Sequence, residues 1–148
     1  MTRNRISVIV LALTVATAPV LAVNAHYVIS PSIAVDGNSL FLSAKAAGLG
    51  DVPDVQFTVT GDVDVFSRCY NRGGNKPQAD NKQETIQVDA TFSVDVRNGQ
   101  TTITRQLVAT AQSTLNCPGS QRVVIESFTF DLLLEAAGFP GLTATLSS

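Results

Sequence analysis

Gln83-Glu84-Thr85-Ile86-Gln87-Val88-Asp89-Ala90-Thr91-Phe92-Ser93-Val94-Asp95-Val96-Arg97-Asn98-Gly99-Gln100 decides the fold class. Ile86, Val88, Ala90, Phe92, Val94 and Val96 alternate with Gln87, Asp89, Thr91, Ser93, Asp95 and Arg97. A period of two is that of a strand with one face on a core. Asn98-Gly99 is a strong hairpin signal, because a type I′ turn needs positive φ at both central residues. The stretch therefore predicts a strand, a two-residue turn pairing Arg97 with Gln100, and a returning strand. The register sets Val94 opposite Ile103, Ala90 opposite Leu107 and Val88 opposite Ala109. Arg105 breaks the agreement by falling opposite Phe92. It either snorkels to the rim, pairs with a carboxylate, or marks a bulge.

The flanking chain reads the same way. Ser30 to Val35 is a short first strand, with Pro31 fitting an edge. Asp36-Gly37-Asn38 is a turn signal. Ser39 to Ala47 follows, with Leu40, Leu42, Ala44 and Ala46 on one face, and Gly48 to Asp54 breaks it. Val55, Phe57, Val59, Val63 and Val65 then point one way, and the same phase turns Ser67 and Cys69 inward. Gly61 interrupts that row and predicts a bulge or bend. Arg122 to Glu135 is the last long strand. Val124, Phe128, Phe130, Leu132 and Leu134 share one face, while Val123, Ile125 and Leu133 make the other partly apolar, as in a central strand. Leu142 to Leu146 closes the chain. Ala46-Ala47-Gly48-Leu49-Gly50 and Ala136-Ala137-Gly138-Phe139-Pro140-Gly141 look like equivalent turns of one sheet. Together these elements predict an all-β, antiparallel β-sandwich of about seven strands with immunoglobulin-like, Greek-key connections. A small β-barrel is the alternative.

Residues 1–25 read as a secretory signal peptide. Arg3 and Arg5 precede the mostly apolar run Ile6–Leu21, and Val23-Asn24-Ala25 fits a small-x-small cleavage pattern. Cleavage after Ala25 starts the mature chain at His26; cleavage after Ala22 competes. The apolar run is shorter than the ~20 residues of a spanning helix, so no membrane span is expected in the mature chain. Residues 26–148 then form one domain. Without Arg3 and Arg5, the eight remaining Lys and Arg face twelve Asp and Glu, a net charge of −4. An acidic surface with no basic run excludes nucleic acid as an expected partner. Two cysteines in an exported chain make one disulfide, Cys69–Cys117.

Catalytic constellations are incomplete. His26 is the single histidine, at the expected mature terminus. It cannot build a copper site that needs a second histidine, and a terminus is a poor place to hold a general base. Oxidised cysteines supply no thiolate. Asp62 with Asp64, and Asp89 with Asp95, share outward strand faces, where aspartates solubilise and guard edges. A carboxylate pair for glycoside hydrolysis is their functional alternative. Asp51, Asp54, Asp62 and Asp64 gather acidic oxygens near one turn region of the kind that binds calcium, without a recognised loop spacing. No catalytic, cofactor-binding or metal-binding residue is assigned, and no cofactor is expected.

The polar run from Cys69 to Lys82 remains. Tyr70, Asn71, Arg72, Asn75 and Lys76 place an aromatic ring, two cations and two amides on what reads as a long loop anchored at Cys69. Binding residues concentrate on such loops. Tyr27 and Tyr70 are the two aromatics that the pattern leaves free.

Cys69-Tyr70-Asn71-Arg72-Gly73-Gly74-Asn75-Lys76-Pro77, with Cys117-Pro118-Gly119 downstream, resembles a group of small secreted, single-disulfide β proteins of filamentous bacteria and fungi. No function attaches to that group. The resemblance implies export and a β fold, and it carries no catalytic residues. A looser likeness in size and class is to the immunoglobulin-like apoproteins that carry enediyne chromophores. Those have two disulfides, so their ligand is not transferred. The sequence thus points to a secreted, non-catalytic binding or interaction module for an extracellular protein or small-molecule ligand. A structural protein of the cell envelope or matrix is the alternative, and a carboxylate hydrolase the more distant one.

Overall fold

A computed structural model of the chain describes residues 24–74 and 77–148. The predicted signal sequence up to residue 23, and Asn75 and Lys76 of the predicted loop, lie outside the described residues. The strands are β1 (His26–Asp36), β2 (Ser39–Ala47), β3 (Asp54–Tyr70), β4 (Pro77–Asp95), β5 (Gln100–Val108), β6 (Arg122–Ala136) and β7 (Ala144–Ser147). A 3-10 turn spans Pro140–Leu142.

Two antiparallel sheets face each other, ordered β1-β2-β5 and β4-β3-β6-β7. β5 returns beside β2 and β6 enters beside β3, the Greek-key connections of an immunoglobulin-like sandwich, while β4 joins β3 in the four-stranded sheet instead of lying beside β5. The inward rows read from the sequence are the core. Leu40, Leu42 and Ala46 on β2, and Phe57, Val59, Val63 and Val65 on β3, have no exposed surface. Each such Leu, Val or Phe contributes roughly 1.5–3 kcal/mol by leaving water. Ser67 and Cys69 are also fully buried, as their phase predicts.

The hairpin at Asn98-Gly99 is corrected. The turn itself forms, with φ of 52° at Asn98 and 69° at Gly99. Arg97 and Gln100 exchange backbone hydrogen bonds of 2.8 and 3.0 Å. The ladder ends there. β4 pairs with β3, setting Val94 opposite Val55 and Ala90 opposite Val59. β5 pairs with β2, setting Ile103 opposite Ala44. The turn therefore carries the chain from one sheet to the other. Arg97 and Gln100 satisfy the turn locally, whereas each strand finds a longer, better covered partner elsewhere.

Other expectations change in detail. Gly61 keeps its register in both ladders, so it is no bulge. With φ at +138°, a Cβ there would collide with the Asp131 carbonyl; glycine lets β6 approach. The bulge lies on β6 instead, where Phe66 pairs with Ser127 and Ser67 with Ile125, leaving Glu126 extra. It reverses the phase, so Val123 and Ile125 share the inward side with Phe128 and Phe130. β1 begins at His26, paired with Ala47, well before Ser30. β7 is shorter than predicted. The two Ala-Ala-Gly turns end strands of different sheets, and Leu49 and Phe139 plug the same end of the core from opposite layers.

The sheets differ in length. β3, β4 and β6 have 17, 19 and 15 residues, whereas β2 and β5 have nine each. The long sheet overhangs the short one at the β3–β4 end. There its inner face is covered by the connection between β5 and β6.

Candidate functional site

The predicted loop is shorter than its sequence implies. β3 runs through Tyr70 and β4 begins at Pro77, paired with it. The polar residues from Asp80 to Lys82 belong to β4, so the loop is the tip of a long hairpin. Its first half is a turn closed by Gly74 N–H donating to Asn71 O at 2.8 Å. Asn71 and Arg72 are exposed.

Neither tyrosine is free. Tyr27 donates to the Leu142 carbonyl at 2.8 Å. Burial pushes its hydroxyl up to about 12. Tyr70 donates to Glu126 Oε1. That bond, then burial, holds its pKa above the ordinary tyrosine value. Arg68 Nε lies 3.3 Å from Glu126 Oε2, an ion pair off-axis for a hydrogen bond. The Arg68 guanidinium also covers the Phe66 ring at 5.2 Å. Phe66, Arg68 and Tyr70 thus form a rail on the outer face of β3, held from β6 by Glu126. The sequence signal for Glu126 was the mismatched phase of Val123 and Ile125, which marks the bulge that presents it. Arg122 pairs with Tyr70 on β6. Its guanidinium lies against the tip, 3.2 Å from where a Gly74 Cβ would sit.

The base of the hairpin is pinned from inside. Cys69 and Cys117 are bridged, with Cα atoms 5.5 Å apart. The bridge ties β3 to the β5–β6 connection, unlike the sheet-to-sheet bridge of antibody domains. Ser67 and Ser113 hydroxyls lie 2.6 Å apart. Ser113 donates to Glu84 Oε2 at 2.7 Å, the Thr114 amide to the same oxygen at 2.9 Å, and the Thr114 hydroxyl to Oε1 at 2.6 Å. Lys82 Nζ lies 3.3 Å from Glu84 Oε1 and donates to Thr114. The Thr114 and Ser113 hydroxyls pull the Glu84 carboxyl down to about 2. Lys82 and Glu84 occupy the inward phase of β4, where the covering connection meets them.

The overhang leaves a groove of about 560 Å³ between Asn38, Thr110 and Gln112 on one wall and Arg122, Val123 and Ile125 on the other. Val123 faces inward yet stays 37 % exposed. Arg122 belongs to both groove and hairpin tip. Beside it, β6 pairs with β7 only over Asp131–Leu134. The Ser148 hydroxyl and amide satisfy Phe130. Among the described residues, Arg122–Ser127 has a strand partner on the β3 side alone. A second groove, about 540 Å³, lies by Lys45, Asp95 and Arg97 at the far end. Among the described residues, Tyr70, Asn71 and Arg72 line neither groove.

Of the two predicted carboxylate pairs, Asp62 and Asp64 line one shallow groove together with Asp131, whereas Asp89 and Asp95 are apart. Asp89 and Asp95 are six residues apart on β4, about 20 Å along a strand. Asp62 faces Asp131 across the ladder. Asp64 accepts from Gln83 Nε2 at 3.0 Å and Thr85 Oγ1 at 2.6 Å. Among the described residues, no three His, Cys, Asp or Glu side chains are grouped to hold a metal ion. His26 is held in β1, with Nδ1 2.7 Å from the Asn24 carbonyl, at the end opposite the hairpin tip. No helix among the described residues is long and apolar enough to cross a membrane.

No protein-family model matches this chain, and no curated protein is significantly similar to it.

Proposed function

We propose that this is an exported, non-catalytic binding module that captures its ligand at the hairpin end of the long sheet. The overhang carries the reading, because it leaves Val123 uncovered in a groove beside Arg122, whose guanidinium reaches Gly74 at the hairpin tip. The disulfide and the Glu84 cluster hold the end rigid, so little order is lost on binding. A disulfide also suits an oxidising, extracellular setting.

The occupant we propose is an extended peptide segment of another extracellular protein. β6 continues past the end of β7 with backbone groups open on one side, and strands with such edges add a further strand. Alternate inward residues Val123 and Ile125 would accept apolar side chains, and Arg122 and Arg72 would meet carboxylates near the tip.

The test is capture of proteins from culture supernatant and cell-wall fractions on the oxidised protein, followed by amide exchange on the purified complex. Slowed exchange over Val123–Ser127, with capture lost in Val123→Asp and weakened in Arg72→Ala at unchanged melting temperature, supports the reading. Saturable capture that ignores both substitutions overturns it.

A further inference from the structure

Asn24 and Ala25 are built into the sandwich. The Ala25 side chain is half-buried and packs against the core. Its carbonyl oxygen approaches Gly141, where a Cβ would sit only 2.6 Å away. The Asn24 carbonyl approaches Gly48, where any Cβ would collide with it, and receives the His26 ring. Gly48 has φ of +75°, which favours glycine by itself. Gly141 has no left-handed φ, so its backbone conformation does not call for glycine. The close approach of Ala25 does. Two residues later, Tyr27 donates to Leu142 O, so the start of β1 and the 3-10 turn clamp each other across the seam between the sheets.

Gly141 thus makes room for a residue that the cut after Ala25 would discard. We propose that the exported chain is cut between Ala22 and Val23, so that the mature protein begins Val23-Asn24-Ala25-His26. The inference rests on the export reading above. Val20-Leu21-Ala22 supplies the small-x-small pattern. A signal-peptide-cleaving peptidase adds water across the Ala22–Val23 bond, leaving a carboxylate on Ala22 and an amine on Val23. One consequence concerns His26. Its imidazole then has no neighbouring α-amine, so the terminal amine–imidazole chelate that a His26 terminus would offer a copper ion is not formed.

The test is to express the full 148-residue chain in an export-competent host and determine the intact mass and N-terminal sequence of the protein in the medium. A Val23 terminus is expected. A His26 terminus overturns this inference and leaves export standing, whereas an uncut chain retained by the cells overturns both. A second measurement reads the packing directly. Gly141→Ala in the secreted protein is expected to lower the melting temperature by roughly 5 °C or more. An unchanged melting temperature means Ala25 is not held there and overturns the argument.

Discussion

Arg105 on β5 covers Phe92 on β4, its guanidinium carbon 5.3 Å from the ring centroid. Phe92 in turn stacks on Phe57, with centroids 6.0 Å apart. The two sheets meet here along an open seam, and the Arg105 stem shields an aromatic that neither sheet covers. Arg105→Ala is expected to cost about 1 kcal/mol, combining an exposed cation–π contact with lost shielding. Arg105→Lys should cost less. Urea unfolding of the three proteins checks this, and equal midpoints would count against the contact.

Reduction, or Cys117→Ser, should remove more. The bridge closes a sequence separation of 48 residues, for which chain entropy gives about 4 kcal/mol. Unfolding midpoints with and without reductant measure it. A loss below about 1 kcal/mol would mean the Glu84 cluster alone holds the connection.

Glu84 makes stability depend on acid. Its folded pKa, about 2, lies below the ordinary 4.5. A depressed carboxyl stabilises above its unfolded pKa and loses that contribution as pH falls through the folded one. The wild-type advantage over Glu84→Gln should therefore be full above pH 4.5 and fade towards pH 2. Melting curves across that window decide it; a constant difference would exclude Glu84 as the titrating group.

Tyr27 acts at the opposite limit. Its pKa is raised from 10 to about 12, so its contribution is intact below pH 10 and lost as pH rises towards 12. Tyr27→Phe should cost about 1 kcal/mol at neutral pH by orphaning the Leu142 carbonyl. That gap should close in alkali, which spectroscopic titration of the phenol alongside melting would show.

Gly61→Ala should destabilise by about 3 kcal/mol or more, since a Cβ meets the Asp131 backbone and φ is +138°. Gly37→Ala is the control. It has φ of +58° but nothing within 4 Å, and should cost about 1 kcal/mol. Equal costs would mean the β6 approach is unimportant.

Much of the fold was legible because burial imposes alternation. The β2 and β3 rows could be assigned residue by residue, and the phase of Cys69 followed from Val55. The partners of strands were not legible. Asn98-Gly99 specifies a turn, but a turn does not say how far pairing continues beyond it, and here both strands leave at once. The recognition loop was misread in extent because Asp80, Asn81 and Lys82 have weak strand propensity. Asn81 and Lys82 pair because β3 supplies an extended template. Glu126, which fixes Tyr70, sits on a bulge whose trace, the phase break at Val123 and Ile125, reads equally well as the second apolar face of a central strand.

The crossing at Asn98-Gly99 also bears on kinetics. β2 must find β5 about sixty residues later, and β3 must find β6 about seventy residues later. The local hairpins β1–β2 and β3–β4 can form early, but neither sheet is complete until such distant segments meet. Closing those loops costs entropy before any contact rewards it, which places refolding on the millisecond-to-second scale of all-β sandwiches. Until β6 arrives, β3 keeps one backbone edge unpaired beside its valine face, a sticky surface for neighbouring chains during synthesis.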